Sequence, residues 1–406
     1  MSEEVAMSGP LDGIRVLAME QAVALPAATR QLADLGAEVI RVQAPQRARG
    51  EDGPNSLTRN KRMVGIDLGA DGGAELFLRL AAEVDVVCHN FTPRVVQKFG
   101  IDYESVRAVN PTVIYASVTG FGMTGPWGPR PLFGPGAEAV SGINSLIGPA
   151  DGWPGRPGTI VYADSVCGSN VAFAVLAALD HRDRTGEGQH IDISMLDVQL
   201  SMLSYTATMH LISGLPAERY GNEHGLHVPY NAYKTATGYL FLAVVVDNHW
   251  AALAKALSGM KLADAVKADV DYLASEHLLG RLTRLGERDA INQAVANVLA
   301  TRPRDEWLAD LSAAGIPVAP VNTVEDALAD DQASARRMVV DIPHPAGASY
   351  RAPGNPIKLS AADPDVFDSP PRAGEDTQSV LRDVLGYDDD AIASLLASGA
   401  VERLEV

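Results

Sequence analysis

Asp164 lies in the stretch Val161-Tyr162-Ala163-Asp164-Ser165-Val166-Cys167-Gly168, between a Gly/Pro-rich loop (Gly148 to Gly158) and an apolar helical run, Val171 to Leu179. A carboxylate at the mouth of a helix can act as a nucleophile. The positive end of the helix dipole holds it ionised, and small neighbours leave room for a substrate carbonyl. An aspartate in front of a helix is more often an N-cap, and on local residues alone that reading stands first. Three carboxylates sit close by in sequence. Glu187 falls in a Thr-Gly-x-Gly turn, Asp192 alternates with Ile191 and Ile193 as on the polar face of a strand, and Asp197 stands at a strand-to-helix junction where capping is the default.

The elements that must position these groups are partly legible. Ile14 to Met19 is a short apolar run, as in a strand buried on both faces. Ala27 to Leu35 has helical spacing and ends at Gly36, a helix-stop residue. Strands follow at Glu38 to Gln43, Asp85 to His89 and Val113 to Val118, with a helix from Gly73 to Glu83 and a polar, Gly/Pro-rich loop before it. This alternation predicts βαβ units and a parallel sheet.

The dinucleotide fingerprint is missing: the first strand runs into Glu20-Gln21-Ala22-Val23-Ala24-Leu25-Pro26, with no glycine to admit a pyrophosphate. Gly134-Pro135-Gly136 is too short and in the wrong context to replace it, which argues against nicotinamide or flavin chemistry. Phe121 to Gly158 is long, irregular and rich in Gly, Pro and Trp, as functional loops are. Helices are expected over Asn170 to Asp180 and Met195 to Ile212, a hairpin over Tyr230 to Val246, a strand near Ile316 to Val321, a strand segment at Pro356 to Leu359 and a helical end from Thr377 to Leu404.

In series, further segments match one family. Asp164 to Met195 resembles the segment around the catalytic aspartate of family III CoA-transferases, the group that includes formyl-CoA and crotonobetainyl-CoA transferases. Pro10 to Leu17, Leu32 to Ile40, Asn60-Lys61-Arg62, Asn90-Phe91 and Gly315 to Val321 resemble further family segments in the same order. The resemblance implies an α/β fold: a Rossmann-like parallel-sheet large domain (1–215, with 331–406 returning to it) plus a smaller α+β domain (216–330). It also implies an interlocked homodimer, with acyl-CoA and a small carboxylic acid as substrates and neither a metal nor a tightly bound cofactor.

The resemblance carries over residue by residue. Asp164 falls on the nucleophile position. Val23 and Ala24 fall where the family binds CoA after its first strand, Ile66 on an apolar position near the nucleotide, Asn90 and Phe91 on the Asn-Phe pair, and Lys98 on the basic position beyond it. Two basic positions are lost, at Thr92 and Ala44, so Arg47, Arg49 or Arg62 is expected to meet the phosphates instead. The formyl-CoA transferase glycine loop is replaced by Gly221 to Pro229, where His224 and His227 face either substrate or solvent.

The related α-methylacyl-CoA racemases need two acid/base groups and carry a Gly-His-Asp motif. Here that stretch is Phe133-Gly134-Pro135-Gly136-Ala137, without histidine, which argues against racemisation. A non-catalytic acyl-CoA binding protein is a third reading, and the presence of Asp164 speaks against it. Selectivity is expected in Trp127 to Trp153, where Arg130 is the cation available to a dicarboxylate.

Composition bounds the rest. A chain of 406 residues with formal net charge −18 has room for two domains and no basic face for nucleic acid beyond Arg47-Ala48-Arg49. Two cysteines, Cys88 and Cys167, suggest a reducing cytoplasm. The first ten residues lack the basic and apolar regions of a signal peptide, and no uninterrupted apolar stretch of membrane-spanning length is present.

Overall fold

A computed structural model describes residues 9–44, 57–363 and 365–402. Arg47 and Arg49 lie outside the described residues. The chain divides into two compact units. The larger comprises the described residues of Met1–Ile143, Pro157–Thr208 and Gln332–Val406; the smaller comprises Asn144–Arg156 and Met209–Asp331.

The larger unit is built on six parallel strands: β1 (Arg15–Met19), β2 (Glu38–Gln43), β3 (Lys61–Ile66), β4 (Val86–His89), β5 (Ile114–Thr119) and β6 (Gln189–Ser194). They run in the order β3-β2-β1-β4-β5-β6, with Val401–Glu402 added antiparallel at the β3 edge. Val16 pairs with Val39 on one side and Val86 on the other, and Val86 pairs in turn with Ile114. Alternate β1 residues serve opposite faces. Val16 and Ala18 join one buried cluster, Leu17 and Met19 the other. That two-sided burial is why β1 reads as a continuous apolar run.

Around the sheet stand α1 (Ala24–Asp34), α2 (Gly73–Ala82), α3 (Pro93–Phe99), α4 (Tyr103–Val109), α5 (Gly134–Val140), α6 (Tyr162–Thr185) and α7 (Met195–Met202). The mixed α/β architecture with a large parallel sheet agrees with the expectation from sequence.

Four local expectations need correction. Residues Lys61–Ile66 form a strand, not part of a loop. Its charged start hides it, because Lys61 is buried and its Nζ meets Glu20 Oε1 at 2.7 Å and Thr29 Oγ1 at 2.7 Å. The helix carrying Asp164 begins at Tyr162, two turns earlier than the apolar pattern suggests. The run after Met195 breaks into two helices at Ser204, whose φ is 45°. No strand forms at 356–359; Val339–Pro343 pairs antiparallel with Ser349–Pro353 instead.

Helix α6 is long and apolar enough to cross a membrane by length and composition alone. Its Cys167, Val171, Val175 and Leu179 are nevertheless buried in the cluster shared with α1 and the sheet, as in a core helix. Gly168 permits that packing. A Cβ there would meet Ala24 O at 2.6 Å and Ala27 Cβ at 3.1 Å. The smaller unit pairs Tyr230–Thr235, Gly238–Ala243 and Val318–Pro320 in an antiparallel sheet, packed with helices over Trp250, Leu253 and Trp307.

Candidate active site

Strand order reverses between β1 and β4, and open α/β sheets bind ligands outside the carboxyl ends of their strands at such a point. Two cavities lie there. The first, of about 470 Å³, is lined by residues at and beyond the carboxyl ends of β1, β2, β3 and β4, including Arg41, Ile66, Phe91 and Lys98. The second, of about 230 Å³, is lined by Ala24, Asn90, Phe91, Arg130, Phe133 and Asp164 among others. Gln21, Ala22, Phe91 and Val95 line both, so the cavities adjoin.

The shared wall is held by Asn90. Its Oδ1 accepts the Gln21 N–H at 3.0 Å and its Nδ2 donates to Gln21 O at 2.7 Å. This two-point clasp ties the loop after β1 to the loop after β4. Between them Ala22 adopts a left-handed backbone, φ 56°, a conformation that costs a residue with a Cβ about 1–2 kcal/mol. The chain then enters α1, leaving the first N–H groups of that helix free of intrahelical partners.

Asp164 is not an N-cap. Val161 holds that place without a side-chain cap, and Asp164 is the third residue of α6. The backbone N–H groups of Asp164 itself and of Ala24, the first residue of α1, lie close enough to its carboxylate to hold its pKa down. Two helix N-termini therefore converge on one carboxylate. Partial burial raises its pKa, Glu138 raises it further, and the two N–H groups oppose that rise. Glu138 is 1% exposed, and its Oε1 accepts the Ala163 N–H at 3.4 Å. Sequence reasoning missed Glu138, which in a short helix looks like an ordinary surface residue. It also missed Arg41, a buried strand residue whose Nε lies 3.5 Å from Glu20 Oε1.

Of the residues singled out from sequence, Ala24, Asn90, Phe91 and Asp164 come together in the smaller cavity, and Ile66, Phe91 and Lys98 in the larger. Val23 lines neither cavity; it is the α1 N-cap, and its carbonyl accepts the Ala27 N–H at 2.8 Å. Arg62 also stands apart, bonded to Glu38 at 2.7 Å, Ser379 at 3.0 Å and Asp383 at 2.8 Å. Asp192 accepts the Met123 N–H at 2.9 Å, and Asp197 donates its N–H to the Ser194 cap. In the smaller unit the His224 and His227 rings lie 4.7 Å apart between centroids, tilted by 47°, and burial lowers the pKa of each.

No histidine is among the described lining residues of either cavity, and no metal-holding cluster occurs among the described residues. Gly134, within the stretch compared with the racemase motif, lies directly against the Asp164 carboxylate. The sequence model of CoA-transferase family III matches residues 11–377. The chain belongs to CoA-transferase family III.

Among similar family III proteins, the succinyl-CoA:glutarate CoA-transferase of Mus musculus is 33% identical over 98% of this chain and 91% of its own length. The succinate–glutarate CoA-transferase of Agrobacterium fabrum is 35% identical over 92% of this chain and 96% of its own. A crystal structure of a CaiB/BaiF family protein from Brucella suis superposes with TM-score 0.79 at 33% identity, covering 93% of this chain and all of that one. This protein is thus a family III CoA-transferase, with CoA thioesters and carboxylic acids as its substrates.

Proposed function

We propose that this transferase moves CoA between short dicarboxylic acids through covalent intermediates on Asp164. The observation that carries the reading is the Asp164 carboxylate itself. It is the one acid among the described residues of its cavity, and it sits where two helix N-termini meet, beside a second cavity of nucleotide size. Both named relatives handle succinate and glutarate, which supports a dicarboxylate class here.

The chemistry balances without further reactants. Asp164 attacks the donor thioester carbonyl, giving a mixed anhydride and CoA thiolate. The thiolate attacks the aspartyl carbonyl, forming aspartyl-CoA and releasing the donor acid with one oxygen from Asp164. The acceptor carboxylate displaces the thiolate to give a second anhydride. The thiolate then attacks the acceptor's carbonyl, and Asp164 is restored carrying one acceptor oxygen. The protein must supply orientation and oxyanion donors. The free N–H groups opening α1 are placed for the latter role, since Ala24 already reaches the carboxylate. CoA lies across Ala24, Asn90 and Phe91 into the larger cavity, with Ile66 against the nucleotide and Lys98 and Arg41 as the positive groups near its phosphates.

Purified protein given succinyl-CoA and a panel of acids should form the CoA esters of short dicarboxylates. Transfer confined to monocarboxylates would refute the substrate class.

A homodimer belongs to the same proposal. Phe173 (73% exposed), Met202 and Tyr205 leave apolar surface uncovered on the larger unit, as do Leu211 (81%) and Ile212 (79%) on the smaller. Sedimentation should give twice the chain mass at low micromolar concentration; a stable monomer with full activity would contradict it.

A further inference from the structure

Arg130 and Asp164 are the one cation and the one anion among the described residues lining the smaller cavity. Arg130 is tethered but not neutralised. Its guanidinium lies 5.2 Å from the centroid of the Trp127 ring, and its backbone N–H donates to Trp127 O at 2.8 Å. Phe121 packs edge-on against Trp127, with ring centroids 5.2 Å apart. No carboxylate pairs with Arg130 among the described residues, whereas Arg15, Arg59, Arg62 and Arg182 of the same unit each hold one. An uncompensated guanidinium at a cavity, in a chain of net charge −18, is a ready partner for an anion.

We infer that Arg130 binds the free carboxylate of a dicarboxylic substrate while the other carboxyl group reacts at Asp164. The inference rests on the covalent role of Asp164 proposed above and adds the residue that selects the acid. A diacid has two charged ends joined by methylenes. The cavity offers Asp164 chemistry at one place, a guanidinium at another, and the apolar side chains of Val118, Leu132 and Phe133 as walls. Its volume of about 230 Å³ falls below the roughly 300–1,000 Å³ of sites for drug-sized ligands, which favours a short acid over a long acyl chain. Arginine suits the task because its planar fork meets a carboxylate with two parallel hydrogen bonds. Stacking on Trp127 restricts the fork before the substrate arrives, so less freedom is lost on binding.

The test compares a dicarboxylic acceptor with the monocarboxylic acid of equal chain length, in the parent, Arg130→Gln and Arg130→Lys proteins. Arg130→Gln should lower kcat/KM for the dicarboxylate by roughly 10–100-fold, the worth of one charge-assisted pair, and leave the monocarboxylate unchanged or improved. Arg130→Lys should recover part of the loss. CoA binding should be unaltered in both variants, which checks the fold. Equal losses for the two acids, or no loss for either, would overturn the assignment. Failure of the underlying Asp164 reading shows separately, as undiminished transfer by an Asp164→Asn protein whose Arg130 is intact.

Discussion

Asp164→Asn should lower the transfer rate by roughly 10³-fold or more, the scale of losing a covalent nucleophile. The carboxamide keeps the shape of the side chain and its place in the first turn of α6, but it cannot form the anhydride. The fold should not suffer. Burial and the nearby Glu138 raise the Asp164 pKa in the folded protein. A carboxyl group with a raised folded pKa contributes stability that is full below its unfolded pKa and lost as pH rises through the folded value. At neutral pH the ionised Asp164 is therefore a liability that the neutral amide removes. Thermal unfolding at pH 7 should show Asp164→Asn at least as stable as the parent, with the difference shrinking toward acid pH. In the parent, the acid limb of the rate profile should begin at higher pH than for an ordinary aspartate. CoA should still bind the variant, because Ile66, Phe91 and Lys98 line the other cavity. A variant that binds no CoA would place the nucleotide elsewhere, and undiminished turnover would end the covalent reading.

Gly134→Ala, one added methyl group, should also be strongly damaging. A Cβ at this position would fall on Asp164 Oδ2, closer than real atoms pack, with Ala163 Cβ 3.4 Å away. The methyl belongs to the backbone of α5 and cannot rotate aside, so the carboxylate must swing out of its position beside the Ala24 N–H. A displacement of about 1 Å at a reacting atom costs on the order of 10²-fold in rate. The loss should appear in kcat, with little change in affinity for CoA, whose cavity the methyl does not reach. Single-turnover measurement of CoA ester consumption separates the two. Unchanged kcat would mean that the reaction tolerates a displaced carboxylate.

The legible parts of this fold are those where one physical demand acts alone. β1, β4 and β5 are buried on both faces, so apolar runs mark them. β3 was hidden because two demands compete. It opens on Lys61 and Arg62, which satisfy Glu20 and Glu38, and it carries Gly65, where a Cβ would meet Glu402 O at 3.2 Å. The start of α6 was hidden because Tyr162 to Gly168 is small and polar for the sake of the site and of its approach to α1, not for helical amphipathicity. Family resemblance marks Asp164, whereas its local residues favour a cap; only the tertiary structure shows Ala24, Glu138 and Gly134 gathered around it. Asn90 was legible as a family motif, but its clasp on Gln21 belongs to the three-dimensional arrangement. Arg41 and Glu138 carry no sequence signal, since a charged residue in a strand or a short helix is ordinarily solvated.

The path of oxygen reports most directly on covalent catalysis by Asp164. Transfer is run over many turnovers with an acceptor acid labelled with oxygen-18 in both carboxylate positions, and the quenched protein is digested for mass spectrometry of the peptide containing Asp164. Each completed cycle returns Asp164 with one acceptor oxygen, so that peptide should gain heavy oxygen in its aspartate side chain, and the released donor acid should carry the label after the next cycle. A fully active protein whose Asp164 peptide stays unlabelled would contradict the account.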